Sequence, residues 1–214
     1  KTLDIYPTIE FGNTASYLAW LRQQNLKDVP VWNDELYLEY HQGTFTTQAK
    51  MKEENRRSEV LLTNAEKVSA VSTLFGGAYN NKDLEEAWRM TLFNQFHDIL
   101  PGSGIRENYI DANEKYSEVR NIGGYELTKA LNHIGKQVNT SRIRKATPLV
   151  VFNPLSWERT DLARFELPQG DEDDYAVLDI QGREVPSQAV RKDRLTREIL
   201  FIAEKVPSVG YKLY

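Results

Sequence analysis

The feature that most constrains the fold of this chain is a change in hydrophobic period near residue 146. Between residues 45 and 145, apolar residues recur every three to four positions, which predicts helices. From 146 to 214, short alternating or apolar runs are separated by proline, glycine and asparagine, which predicts β-strands. We therefore predict an α+β fold, with a three-helix bundle at 45–145 followed by the start of a β-sandwich at 146–214.

The helical zone divides into three helices. The first is predicted from about Thr46 to Ala78, the second begins near Asp83, and the third follows Ser103, a candidate N-cap. We expect the second helix to bury one stripe: Leu84, Trp88, Leu92, Gln95 and Phe96. The stripe of the third helix is Ile105, Tyr109, Ala112, Tyr116 and Val119, and a weak point follows at Gly123-Gly124. Three threonines are candidate caps of the first helix: Thr44, Thr46 and Thr47. Because the connections are short, we expect an antiparallel bundle.

Residues 1–44 mix short elements. The stretch NTASYLAWLRQQN predicts a short helix capped by Asn13 or Thr14, and VPVWNDELYLEY predicts an extended segment. This zone is too short to bury its own core. The chain begins at Lys1 in the middle of a pattern and stops at Tyr214 directly after a strand-like run. We therefore expect a central part of a longer protein, in which residues 1–44 end a preceding domain.

Composition excludes several classes of protein. The 214 residues carry a net charge of −4 without a basic stripe, so neither nucleic acid nor an anionic membrane is an expected partner. No apolar run reaches the roughly 20 residues that a membrane span needs. The chain has no cysteine, which excludes thiolate metal sites and favours a reducing, cytoplasmic setting. A homo-oligomer is compatible with this composition.

The acidic run from Asp171 to Asp174 lies between predicted strands. A solvated loop is the common structure for such a charge block. A calcium loop would need alternating oxygen ligands and a glycine at fixed spacing, and the run has neither.

His97 and Asp98 stand where the second helix is predicted to end, before Pro101. Imidazole is the commonest metal ligand in proteins, and a carboxylate beside it could bind a sugar hydroxyl or complete a metal shell. Alternatively, His97 caps the last carbonyls of its helix and Asp98 is a turn residue. One histidine cannot form a zinc site, which needs three or four ligands. Both interpretations stay open on the residues alone.

The chain contains two other histidines. His41 lies in a polar turn before the first bundle helix, beside Gly43. His133 lies within the third helix, and we expect it to be partly exposed without a functional role.

Two segments carry a resemblance to a known family. DELYLEYHQGTFTTQAKMKEENRRSE and NQFHDILPGSGI resemble the α-mannosidases of glycoside hydrolase family 38. VVFNPLSWERTDLARFELP is similar to the start of the β-domain of these enzymes, and VPSVGYKLY to a later strand. The match extends over essentially the whole chain in the right order, and the segments resemble the bacterial and cytosolic branch.

The resemblance implies a domain assignment and a chemistry. Residues 1–44 would end a catalytic β/α domain, 45–145 would be the middle domain, and 146–214 would begin the C-terminal β domain. Family members are retaining exo-α-mannosidases that use one divalent metal, usually zinc. Carried over, His97 would be a metal ligand and Asp98 would hydrogen-bond mannose. His41 would bind substrate, at a position where animal Golgi members carry a tryptophan that packs on the sugar.

The resemblance places the nucleophile, the acid/base and a His-x-Asp metal pair upstream of Lys1. We therefore expect no catalytic residue in this chain, weak zinc binding at best, and no activity from the chain alone. The expected substrate is an α-mannoside oligosaccharide or a mannosyl glycoside. Two alternatives remain: a hydrolase of mannosylglycerate or its phosphorylated form within the same family, and a non-catalytic carbohydrate-binding or interaction module.

Overall fold

The structure is a computed structural model that divides into two units, Lys1–Gln42 and Gly43–Tyr214. It describes residues 9–36, 39–141, 143, 146–167, 175–191 and 196–214. The acidic run Asp171–Asp174, predicted as a solvated loop, lies outside the described residues.

The first unit contains a short helix, α1 (Thr14–Leu21). Asn13 caps it as predicted, because its side chain accepts from the Ser16 backbone N–H at 2.9 Å while the Ser16 hydroxyl oxygen accepts from the Asn13 N–H at 3.0 Å. Residues 31–36 of the predicted extended segment pair with no strand, and its last residues, Glu39 and Tyr40, are not extended. A 3₁₀ segment, Glu39–Phe45, follows instead and is kinked at His41. A strand requires a neighbouring strand to satisfy its backbone, whereas a 3₁₀ turn is satisfied locally.

Three long helices of the second unit form the predicted bundle: α2 (Ala49–Thr73), α3 (Asn81–Asn94) and α4 (Arg106–Gly135). Side-chain contacts give their directions. Gln95, just after α3, bonds Asn55 near the start of α2, so these two helices are antiparallel. Arg120 of α4 pairs with Glu54, and Gly123 faces Leu61, so α4 runs parallel to α2. The order is therefore up, down, up.

The helix starts differ from the predicted caps. α2 begins after Gln48, which has left-handed backbone (φ 51°) and makes no side-chain cap, so the threonine caps are wrong. The backbone N–H groups of Thr46 and Thr47 instead donate to the Gly43 carbonyl at 3.0 and 2.7 Å in a tight turn. Ile105, not Ser103, precedes α4, because the Ser103 hydroxyl bonds Asp98.

The buried face of α3 is smaller and more polar than expected. We predicted Leu92 and Phe96 on it, but they are 58% and 55% exposed, while Thr91 and Asn94 are fully buried. The Asn94 side-chain amide donates to the Ala112 carbonyl at 3.1 Å. Short side chains on this face let α3 approach its neighbours closely, and the internal hydrogen bond offsets the cost of burying an amide.

The rest of the chain forms antiparallel sheets, which confirms the α+β class. Seven strands are described: β1 (Val150–Asn153), β2 (Arg159–Glu166), β3 (Val177–Leu178), β4 (Glu184–Val185), β5 (Ser187–Arg191), β6 (Arg197–Val206) and β7 (Gly210–Leu213). β1 pairs with β7, β6 lies between β2 and β5, and β3 pairs with β4. One apolar core serves all three sheets, with Val177, Ile199, Phe201 and Tyr214 among its members.

The bundle and the β region meet through an apolar contact. Phe152 of β1 packs against the cluster formed by Val68, Ala130 and Ile134 in the helices. Burial of such aromatic surface stabilises the junction between the two parts. None of the described helices carries an apolar stretch long enough to span a lipid bilayer.

Candidate functional site

The chain reverses direction between α3 and α4 through residues 95–105, which we call the α3–α4 corner. Its backbone continues in short turns after α3, with the Ile99 and Leu100 N–H groups donating to the Phe96 carbonyl at 2.9 and 3.1 Å. Pro101 then removes a donor, and Gly102 takes a left-handed conformation (φ 90°) that few other residues tolerate. α3 itself ends at Asn94, so His97 and Asp98 follow the helix instead of ending it, and Pro101 and Gly102 shape the turns that lead to α4.

His97 and Asp98 point outward from this corner. Their side chains are 77% and 53% exposed, and His97 Nε2 lies 3.4 Å from Asp98 Oδ2. The His97 ring packs against the Phe96 ring with centroids 4.2 Å apart. Within the described part of the chain, no carbonyl accepts from His97, so it does not cap its helix. The adjacent imidazole and carboxylate therefore share one accessible side of the corner.

The corner is anchored from beneath. Ile99 is buried in a cluster with Met51, Ala112 and Tyr116. The Tyr109 hydroxyl accepts from the Gly104 N–H at 2.7 Å and donates to the Asp98 carbonyl at 3.4 Å. These contacts fix the backbone that carries the exposed pair.

Hydrogen bonds from the corner also orient the pair and tie it to α2. The Ser103 hydroxyl donates to Asp98 Oδ1 at 3.1 Å. The Gln95 amide donates to Asn55 Oδ1 and to Glu59 Oε1, both at 3.0 Å. The carboxylate is therefore held on one oxygen while the other remains near His97.

A lysine that the sequence reading missed joins the corner to the start of α2. Lys52 Nζ donates to the carbonyls of Leu100 (2.9 Å) and Pro101 (3.2 Å) and also to that of Thr47. Burial lowers the pKa of Lys52. The sequence offers only a shared signal: Lys50 and Lys52 both stand in the first turn of α2, where the helix dipole disfavours a cation.

A polar layer is buried beneath the corner. The Tyr116 hydroxyl, Asn94 Oδ1 and the Ser58 hydroxyl are buried without a hydrogen-bond partner among the described residues. Desolvation, together with the charges of Glu54 and Glu59, raises the pKa of Tyr116 to about 12. Tyr116 is therefore a neutral packing residue at physiological pH.

The other histidines lie elsewhere. His41 belongs to the first unit and is exposed, and its role at a sugar stays a prediction. His133 is a structural residue, since its Nε2 donates to the Phe75 carbonyl at 3.0 Å. The described ranges contain no group of three or more histidine, aspartate or glutamate side chains placed to hold a metal. The exposed imidazole of His97 could serve a metal only as one ligand of several.

The residues that form this corner fall within a match to a known protein family. Residues 39–134 match the alpha mannosidase middle domain. The α-mannosidase of Saccharomyces cerevisiae is 32% identical over 164 residues, which cover 74% of this chain and 15% of the relative. The chain belongs to the α-mannosidases of glycoside hydrolase family 38. The predicted resemblance is thereby confirmed.

Other members of the family also match over most of this chain. Human alpha-mannosidase 2C1 is 31% identical over 173 residues, covering 78% of this chain and 16% of the relative. Alpha-mannosidase G of Dictyostelium discoideum is 36% identical over 132 residues, covering 60% and 12%. The chain thus spans between 12% and 16% of the length of these relatives.

Solved structures share the fold. A family 38 glycosyl hydrolase from Enterococcus faecalis superposes with a TM-score of 0.65 at 19% identity, covering 94% of this chain and 27% of that one. An α-mannosidase from E. faecalis V583 gives a TM-score of 0.62, also at 19% identity, with 94% and 28% covered.

Proposed function

We propose that the α3–α4 corner forms one wall of the active site of a metal-dependent, retaining exo-α-mannosidase. The observation that carries the proposal is the outward-facing pair His97 and Asp98, whose atoms lie 3.4 Å apart on an anchored corner. The segment 43–48, which shares the family resemblance, lies against the same corner through Lys52. Terminal α-mannosides are the proposed substrates.

His97 is the proposed metal ligand of this wall. Its imidazole offers a nitrogen on an exposed ring that packs against Phe96, so the direction of that nitrogen is constrained. A bound divalent cation, zinc in this proposal, would supply positive charge that orients sugar hydroxyls and stabilises the transition state. The remaining ligands are assigned to other parts of the complete protein.

Asp98 is the proposed acceptor for mannose hydroxyls. An ionised carboxylate has about four acceptor positions, and the Ser103 hydroxyl takes one of them. The exposed remainder can receive sugar hydroxyls, and these charge-assisted hydrogen bonds are stronger than neutral ones. Because the carboxylate is already oriented, binding costs little further ordering.

Covalent chemistry is assigned to carboxylates outside this chain. A retaining glycosidase needs a nucleophile and an acid/base about 5 to 5.5 Å apart, and neither role falls to His97 or Asp98. His41 is proposed to contact the sugar, and residues 1–44, 45–145 and 146–214 are proposed as the end of the catalytic domain, the middle domain and the beginning of the β domain. The chain alone is therefore expected to be inactive.

The test uses the product of the complete open reading frame that contains this chain. Asp98→Asn preserves the acceptor for Ser103 but removes the charge, and we expect kcat/KM on an aryl α-mannoside to fall on the order of 100-fold. Asp111→Asn, at an exposed position of α4, is the matched control and should stay within about twofold. Equal activity in both variants would refute the role of Asp98.

Two further assays separate the alternatives. Hydrolysis of mannosylglycerate or its phosphorylated form in preference to simple α-mannosides would narrow the substrate within the family. Mannose binding by the complete protein without any hydrolysis would support the carbohydrate-binding module instead. Substantial turnover by the 214-residue chain alone would contradict the assignment of the nucleophile to other parts of the protein.

A further inference from the structure

We propose that Lys52 is the positioning residue of the α3–α4 corner. Its ammonium group fixes the carbonyls of Leu100 and Pro101 against Thr47, and thereby fixes the direction in which His97 and Asp98 project. This inference rests on the proposed function of that pair. Lys52 itself touches neither side chain and is not assigned to substrate.

Three carbonyls from two segments converge on one atom. The acceptors on Leu100 and Pro101 lie 2.9 and 3.2 Å from Lys52 Nζ, and both stand 48 or 49 residues away in sequence. The Thr47 carbonyl, five residues before Lys52, completes the set. An ammonium group has three donors around one compact centre, whereas the planar guanidinium of arginine spreads its donors along a fork. Lysine therefore suits this convergence.

The charge of Lys52 has no other use in the described structure. It forms no ion pair with a carboxylate in the described ranges. It is half-buried, and it stands near a helix N-terminus, where a cation is disfavoured. Both features cost stability, and the three carbonyl acceptors offset that cost. The three hydrogen bonds therefore compensate for a lysine that would otherwise be unfavourable at this position.

A second contact joins the same two segments. A Cβ added at Gly102 would lie 2.7 Å from the Thr47 carbonyl oxygen, so the two backbones touch there. Below this contact, Met51 and Ile99 pack together in the core. Lys52 thus closes a junction that has an apolar base and a tight backbone contact.

The carbonyls held by Lys52 follow Asp98 by two and three residues. Loss of the ammonium group would release this part of the corner to water and let the pair drift. A displacement of about 1 Å at a reacting group can cost about 100-fold in rate. Positioning residues around metal ligands commonly contribute about 10- to 100-fold to affinity or activity.

The experiment compares Lys52→Met with Lys50→Met in the complete protein. Lys50 lies in the same turn of α2, is exposed and makes no side-chain hydrogen bond among the described residues. Lys50→Met therefore removes one positive charge but no carbonyl contact. We expect K52M to weaken zinc affinity, measured by chelator competition, and to lower kcat/KM, each by about 10-fold or more. K50M should stay within about twofold. All measurements are made well below the melting temperature of each variant.

Lys52→Gln keeps a shorter donor group and is measured alongside in case K52M does not fold. It should show a smaller loss in the same two quantities. If folded K52M or K52Q lowers only the melting temperature, with zinc affinity and kcat/KM equal to those of K50M, Lys52 is merely structural and the inference is overturned. If D98N also leaves activity unchanged, the proposed site itself is wrong, so the two failures are distinguishable.

Discussion

A histidine lies beside each of the two turns of the helix bundle, but its hydrogen bonding differs between them. At the α2–α3 turn (residues 74–80), His133 of α4 donates to the Phe75 carbonyl at 3.0 Å, so its Nε2 is not available to a ligand. At the α3–α4 corner, Lys52 and Tyr109 donate hydrogen bonds to backbone carbonyls, and the His97 side chain remains 77% exposed.

A histidine beside a helix end is available for ligand binding when another side chain already donates to the backbone carbonyls there. Carbonyls at a helix end need donors, and the nearest suitable side chain supplies them. Where a lysine and a tyrosine do so, the imidazole and the adjacent carboxylate can face outward on a fixed backbone. The role of each histidine therefore follows from which other residue satisfies the backbone beside it.

The largest stability contrast is expected between two left-handed glycines, Gly102 at the corner and Gly76 at the α2–α3 turn. Gly102→Ala combines a disfavoured φ with a clash 2.7 Å from the Thr47 carbonyl oxygen, so it should cost about 3 kcal/mol. Gly76→Ala meets no atom within 4 Å and should cost about 1 kcal/mol. Native-state hydrogen exchange of α4 amides measures both, and equal losses would show that the corner is not tightly packed.

A smaller contrast concerns alkaline pH. The pKa of Tyr116 is about 12 in the fold against an ordinary 10.0, so the neutral hydroxyl is favoured by folding. Its stabilising contribution is complete below pH 10.0 and is lost as pH rises toward 12, by about 2 kcal/mol. Tyr116→Phe should remove this loss.

Tyr79, in the α2–α3 turn, is the comparison for Tyr116. Burial, and to a smaller extent the charge of Glu66, raises the pKa of Tyr79. Its side chain is partly exposed, so Tyr79→Phe should change the loss of stability at alkaline pH less than Tyr116→Phe does. Urea denaturation at pH 9 and pH 11 distinguishes the two variants. An identical pH response in wild type and Tyr116→Phe would contradict the buried position of this hydroxyl.

The smallest expected effect tests the orientation of Asp98. Ser103→Ala removes the hydroxyl that donates to Asp98 Oδ1 at 3.1 Å, so KM for an aryl α-mannoside should rise by about fivefold, or about 1 kcal/mol. The matched change at the end of α2, Thr73→Ala, removes a hydroxyl that donates to the Ala70 carbonyl and should leave KM unchanged. A similar KM in both variants would remove Ser103 from the site.

Helix periodicity predicted much of the bundle. Four members of the predicted α4 stripe are buried as expected, because apolar residues recur at helical spacing: Tyr109, Ala112, Tyr116 and Val119. The fifth, Ile105, precedes the helix and is 66% exposed. The predicted weak point at Gly123-Gly124 does not break α4. A Cβ at Gly123 would lie 3.0 Å from the Leu61 side chain, so this glycine permits close helix packing.

Local rules failed where distant backbone decides. The hydroxyl caps were wrong because Gln48 and Ile105 occupy the cap positions, and their neighbours bond elsewhere. The contacts of Lys52 could not be predicted, because its partners are backbone carbonyls, which every residue carries and no sequence pattern marks. The outward position of His97 and Asp98 also depends on tertiary contacts of the corner, so the residues alone left the choice between a cap and a ligand open.

The most direct measurement compares zinc content and affinity in His97→Gln and His133→Gln of the complete protein. The proposed roles predict that His97→Gln lowers zinc affinity on the order of 100-fold and abolishes hydrolysis at an unchanged melting temperature. His133→Gln should retain zinc and activity while melting at a lower temperature. A His97→Gln protein that binds one zinc with wild-type affinity would contradict the assignment of this corner to the active site.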